Sequence, residues 1–205
     1  MEEGLAKVFA SPVTLLTLVG VLALLVVLLH TRKVKLSAHQ LSSCGFMLAL
    51  TLVLSVFPLY RMPYGGTITL GGMLPIMLVA FAFGPEVGVL AGFAYGILNL
   101  LLNPYILHPV QVLFDYPLPF MALGVCGFFP QHPYGGMILA VLMRYFCHFV
   151  SGVAFFASYA PAGMSPVVYS LWANGLYLLP DLAICLLLYR VLPMGRFIGL
   201  LRKPR

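Results

Sequence analysis

Charge is what this chain has least of. Only 8% of its 205 residues are Asp, Glu, Lys or Arg, and just five are acidic. A soluble domain of ordinary composition carries about 25% charged residues. With 62% hydrophobic residues and a mean hydropathy of +1.05, the shortage excludes a water-soluble domain. It predicts an all-α integral membrane protein built as one helical bundle. Cys44, Cys126, Cys147 and Cys185 stand singly in apolar stretches, with no CxxC and no metal-ligand spacing. They read as small apolar packing residues. There is no activated nucleophile, no metal cluster and no phosphate-binding loop, which argues against an enzyme. The net charge of +6 does not point to nucleic acid, because the basic residues lie at helix ends and on the C-terminal tail.

What the chain does have is apolar runs. Seven can be marked, over about 11–30, 41–60, 68–83, 87–102, 113–129, 137–158 and 169–192. Between them stand turn residues: Pro63 with Gly65 and Gly66, Gly84–Pro85, Asn103–Pro104, Pro130 to Gly136, and Pro161 to Pro166. Seven spans put the two termini on opposite sides. Arg32, Lys33 and Lys35 after the first span, and Arg190, Arg196, Arg202, Lys203 and Arg205 after the last, then share one side. The positive-inside rule makes that side the cytoplasm and sets the N-terminus outside. Lys7 and Arg61 fall outside, and Arg144 lies within the membrane. The first run is no signal peptide, since Glu2 and Glu3 precede it, its basic cluster follows it, and no small-x-small cleavage site is present. It reads as an uncleaved, lipid-facing helix. The second run carries Gly45-x-x-x-Ala49, a spacing that lets another helix approach closely, either within the bundle or from a partner.

Arg144 and His148 break the run MILAVLMRYFCHFVSGVAFFASY. A cation at mid-membrane costs roughly 2.5–3.5 kcal/mol on insertion scales, so such residues generally face a cavity. Their i, i+4 spacing puts both on one helix face. Gln111 and Asp115 have the same spacing. The topology brings His108, Gln111, Asp115 and Tyr116, then Tyr169 and Asn174, into the outer half of the membrane, with Phe155, Phe156 and Tyr159 as aromatic surface. That mixture suits a small, flat, polar ligand bearing a positive charge. Structural readings stand beside it: an Arg144–Asp115 ion pair closing the bundle, a packing role for His148, an interfacial one for Tyr169, and interhelical bonding for Asn174. Asp181, after Pro180, reads as a hydrogen-bonding residue at a kink.

The blocks TITLGGMLPIMLVAFAFGPEVGVLAGFAYGIL, HPVQVLFDYPLPFMALGVCG and LMRYFCHFVSGVAFFASYAPAGMSPVVYSLWANGLYLLP resemble the thiamine-specific S component (ThiT/YuaJ family) of energy-coupling-factor (ECF) transporters. The likeness runs from about 41 to 193. It implies a six-helix substrate-binding domain over 36–193, preceded by an extra transmembrane helix and basic loop (1–35) and followed by a basic cytoplasmic tail (194–205). It implies capture of thiamine at the outer face of the cell membrane. It also implies association with a transmembrane coupling subunit and two cytoplasmic ATPase subunits. This chain has no G-x-x-x-x-G-K-[ST] motif, so hydrolysis would belong to those partners. No cofactor is implied. The matching positions assign ligand contacts to Asp115, Tyr116, Arg144, His148, Phe156, Tyr169 and Asn174, with Tyr105 and Tyr95 as further aromatics. Gly45 and Ala49 match positions that dock on the coupling subunit. Some members carry tryptophan at Phe156, glutamate at Asp115, lysine at Arg144, and a tryptophan with a nearby acid in the first outer loop. Here that loop reads RMPYGGTITLGG and offers Tyr64 but no acid. The missing acid motivates an alternative ligand, a thiamine precursor such as hydroxymethylpyrimidine. A solitary proton-coupled carrier and a membrane enzyme using Asp115 and His148 are further alternatives.

Overall fold

The computed structural model describes residues 12–63 and 65–203. Its helices are α1 (Pro12–Thr31), α2 (Ala38–Val56), α3 (Leu74–Phe83), α4 (Pro85–Leu102), α5 (Pro109–Asp115), α6 (Pro117–Ala122), α7 (Pro133–Phe155), α8 (Pro166–Val191) and α9 (Met194–Arg202). Single 3-10 segments follow α6 (Leu123–Phe128) and α7 (Ala157–Tyr159). A hairpin of β1 (Tyr60–Arg61) and β2 (Thr67–Ile68) joins α2 to α3, with Tyr60 opposite Ile68. The all-α membrane class stands.

Several prolines, among them Pro85, Pro133 and Pro166 that read as breakers in the sequence, turn out to start helices. Pro85, Pro109, Pro117, Pro133 and Pro166 all sit in first turns, where the missing N–H has no helical partner to lose. Hence α7 begins at Pro133 and not near 137. Likewise α8 begins at Pro166 and not at 169, with Ser165 Oγ accepting from Val168 N at 3.3 Å.

Two expected spans are corrected. The run 68–83 is helical only over α3, ten residues or about 15 Å, roughly half a hydrocarbon core. Thr69 N and Oγ1 both donate to Asp181 Oδ1, at 3.1 and 2.7 Å, and this holds the preceding residues as hairpin and loop. The run 113–129 starts at Pro109 and breaks at Tyr116, because Pro117 and Pro119 cannot donate to the turn before them. Among the described residues, five stretches are long and apolar enough to cross a membrane: Ala38–Val56, Pro85–Leu102, Pro109–Phe128, Pro133–Phe155 and Pro166–Val191; α3 is shorter, as is the apolar stretch Leu15–Thr31 of α1.

The core is centred on α3, where Ile76, Met77 and Val79 are fully buried among α2, α4, α9 and the 3-10 segment after α6. Large apolar side chains such as Phe46, Leu22 and Leu187 face outward, as expected where lipid is the solvent. Close approach of α4 to α6 depends on glycine. A Cβ on Gly92 would lie 2.1 Å from the Phe120 carbonyl oxygen, and one on Gly96 2.7 Å from that of Tyr116. Between the two glycines, Tyr95 meets Phe120 edge-on, with centroids 4.7 Å apart.

Following the chain through the bundle, the links 32–37, 129–132 and 192–193 gather at one end. The hairpin, 103–108 and 156–165 gather at the other. The first end collects Arg32, Lys33, Lys35, Arg196, Arg202 and Lys203. The expected tail carries a helix there. In α9, Met194 is buried, and Arg202 Nε and Nη2 donate to the carbonyls of Ala82 (3.0 Å) and Phe81 (2.8 Å). Those are carbonyls of the last turn of α3, which lack helical partners.

Candidate functional site

The opposite end holds a cavity of about 660 Å³. Its walls come from α2, α4, α5, α6, α7 and α8, and its rim from the hairpin and the two other links at that end.

Asp115 closes α5 on the cavity side. Its Oδ2 accepts from Gln111 Nε2 at 2.6 Å, and its Oδ1 lies 3.3 Å from His148 Nδ1. The shared face expected of Gln111 and Asp115 is thus formed. Gln111 is buried and has a second duty: Nε2 donates to the Tyr105 carbonyl (3.1 Å), and Oε1 accepts from Leu107 N (3.0 Å). Helix α5 and the loop before it are thereby one hydrogen-bonded unit.

Arg144 and His148 both line the cavity. The ion pair expected as one structural reading, Arg144 with Asp115, does not form; the carboxylate belongs to His148. Arg144 stands one turn deeper on α7, and its Cζ lies 4.0 Å from the centroid of the Phe120 ring. Its Nε and Nη1, like His148 Nε2, are buried without a hydrogen-bond partner. An unmet buried polar group costs on the order of 1–3 kcal/mol, so these atoms, with Thr51 Oγ1, are the least satisfied part of the wall.

Aromatic residues complete the rim. Tyr105 stacks on Phe156 with centroids 5.9 Å apart and planes at 21°, and its hydroxyl meets that of Tyr159 at 2.5 Å. That hydrogen bond raises the Tyr105 phenol above its ordinary pKa. Tyr116 is buried and pins the same loop: its hydroxyl accepts from Tyr105 N and donates to the Asn103 carbonyl, both at 2.8 Å.

From α8, Tyr169 and Asn174 reach the cavity. Asn174 Nδ2 donates to the Ser170 carbonyl at 2.9 Å and lies 3.3 Å from the His148 carbonyl, while Oδ1 accepts from Tyr177 at 3.0 Å. Tyr95 donates to Ser55 Oγ at 2.8 Å. Tyr64 lies outside the described residues. His108 is not on the cavity; it caps α5 by accepting from Val110 N and stacks on Phe155.

Sequence reading missed Asp181, Tyr177 and Phe120, all on the wall. Asp181 does hydrogen-bond, yet to Thr69 across the bundle and not at the Pro180 kink. Its signal was spacing: Asn174, Tyr177 and Asp181 stand at i, i+3 and i+7, one helix face. Gly45 and Ala49 lie away from the cavity, exposed on α2. A Cβ on Gly45 would meet nothing within 4 Å, so packing within the bundle is not their role.

Residues 41–197 match the family described as Thiamine transporter protein (Thia_YuaJ). Among curated relatives, the thiamine transporter ThiT of Bacillus subtilis is 35% identical over 141 residues, 60% of this chain and 73% of that one. ThiT of Lacticaseibacillus paracasei is 33% identical over 124 residues, 51% of this chain and 62% of that one. The solved structure of ThiT from Listeria monocytogenes matches with a TM-score of 0.71 at 28% identity, covering 79% of this chain and 96% of that chain. On that extent of match, in sequence and in fold, the chain belongs to the thiamine transporter protein family.

Proposed function

We propose that this chain is the substrate-capture component of an ECF-type importer, and that it binds thiamine in the cavity between α5, α7 and α8. The observation that carries the reading is the pattern of unmet groups on the cavity wall. Arg144 offers two buried N–H donors. With Nδ1–H given to Asp115, His148 keeps a lone pair on Nε2. Asp115 supplies an anion and Phe156, Tyr105 and Tyr169 supply ring faces. Thiamine has the complementary set: ring nitrogens that accept, an exocyclic amine that donates, and a thiazolium cation that seeks a carboxylate and aromatic surface. Tyr116 and Asn174 hold the walls in place, and Tyr95 extends the aromatic lining.

The family and the clustering of basic residues away from the cavity support an outward-facing site in the cell membrane, with the C-terminus cytoplasmic and the N-terminus outside. Transport energy would come from two ATPase subunits through a transmembrane coupling subunit, docked on Gly45 and Ala49. This chain itself does no covalent chemistry. Calorimetry of the purified protein with thiamine and with hydroxymethylpyrimidine tests the ligand. Tighter binding of the fragment, or no binding of thiamine, would overturn the assignment.

A further inference from the structure

Helix α1 lies entirely before residue 41, where the family match begins. Its side chains at Leu18, Leu22, Leu25 and Leu29 are exposed. Gly20 is buried, at the point where α1 meets α5. A Cβ on Gly20 would stand 2.7 Å from Phe114 Cε2 and 2.8 Å from Leu113 Cδ2, inside normal contact distance. The absence of a side chain is what allows this approach.

Helix α5 is an element in need of support. It has seven residues, fewer than an isolated helix needs to hold its shape, and it breaks at Tyr116. Its cavity side carries Gln111 and Asp115. Leu113 is two residues before Asp115, about 200° round the helix, so α1 presses on the back of the helix whose front holds the carboxylate. The far end of α1 lies beside α4, with His30 Nε2 3.8 Å from Glu86 Oε1 in its first turn.

We propose that α1 is a brace for the ligand site, and that Gly20 is a positioning residue. Seated on Leu113 and Phe114, it holds α5 where Asp115 meets His148. The effect on thiamine rests on the function proposed above; the effect on the Asp115–His148 pair does not.

The test uses the full chain. Gly20→Leu raises the thiamine Kd roughly tenfold, while Leu22→Ala on the exposed face leaves it unchanged. Adding Phe114→Ala makes room for the new side chain and returns the Kd to within about threefold of Phe114→Ala alone, as coupled neighbours do. The 15N signal of the His148 imidazole shifts in Gly20→Leu and recovers in the double variant. If Gly20→Leu does not fold, Gly20→Ala reads the same signals at smaller amplitude. An unchanged Kd and imidazole signal, or a loss that Phe114→Ala does not rescue, overturns the brace. A wild-type protein that ignores thiamine sinks the functional reading instead, and leaves the imidazole signal to judge the brace.

Discussion

His148 Nδ1 lies 3.3 Å from Asp115 Oδ1, with the two side chains 11% and 17% exposed. The pair joins α7 to α5 across the cavity wall. Because Gln111 also holds Asp115 at 2.6 Å, the carboxylate is fixed from two sides before any ligand arrives.

A preset carboxylate makes both partners sensitive to truncation. Asp115→Ala removes the anion and strips His148 of its partner; His148→Ala removes the acceptor at Nε2. Each is expected to weaken thiamine binding at least tenfold, about 1.4 kcal/mol. Asp115→Asn retains a hydrogen-bonding group without the charge, and should fall between wild type and Asp115→Ala. Calorimetry that gave wild-type affinity in both alanine variants would remove the pair from the site.

Arg144 separates binding from stability. Its guanidinium is held over Phe120 with two nitrogens unmet, an arrangement costly to bury. A buried cation without full pairing carries a desolvation cost of several kcal/mol, which an apolar side chain of similar volume does not. Arg144→Met should therefore keep or raise the Tm of the ligand-free protein while weakening thiamine binding. Thermal unfolding with and without thiamine reads both at once. A fall in Tm with affinity unchanged would make Arg144 a structural cation only.

Asp181 should lose stability where Arg144 keeps it. It fastens the loop after the hairpin to α8 through Thr69, and the hairpin forms part of the cavity rim. Asp181→Ala leaves the Thr69 groups unmet, a loss on the order of 1–3 kcal/mol, and loosens the rim. Lower Tm and faster thiamine release are expected, with stopped-flow fluorescence as the measurement. Release at the wild-type rate would mean that the rim does not control exit.

The parts of this site that were legible in the sequence are those whose chemistry is out of place. Arg144, His148 and Asp115 are ionisable groups in apolar runs, and their i, i+4 spacings fix which residues share a face. Asp181 was equally out of place, but Pro180 beside it offered a local explanation, and a contact from residue 69 to residue 181 leaves no mark in local pattern. The hairpin was invisible because strands of two residues have no period to read. The starts of α7 and α8 were displaced for a different reason: proline disrupts the interior of a helix yet suits its first turn, and composition alone does not say which applies. Which base takes Asp115 could not be read either, since Arg144 and His148 lie on the same face and differ only in depth.

Gly45 and Ala49 carry the last prediction, and it concerns assembly. Both are exposed on α2, and Gly45 has no neighbour within 4 Å of where a Cβ would sit. Side chains added at these exposed positions point away from the bundle core, so Gly45→Leu with Ala49→Leu should leave folding and thiamine affinity at wild-type values. A partner helix packing on small residues depends on backbone approach, and two leucines would hold it away. The double variant should therefore bind thiamine normally in isolation, fail to co-purify with the coupling subunit, and lose ATP-driven uptake in cells. Co-purification at the wild-type level would place the docking face elsewhere on the bundle.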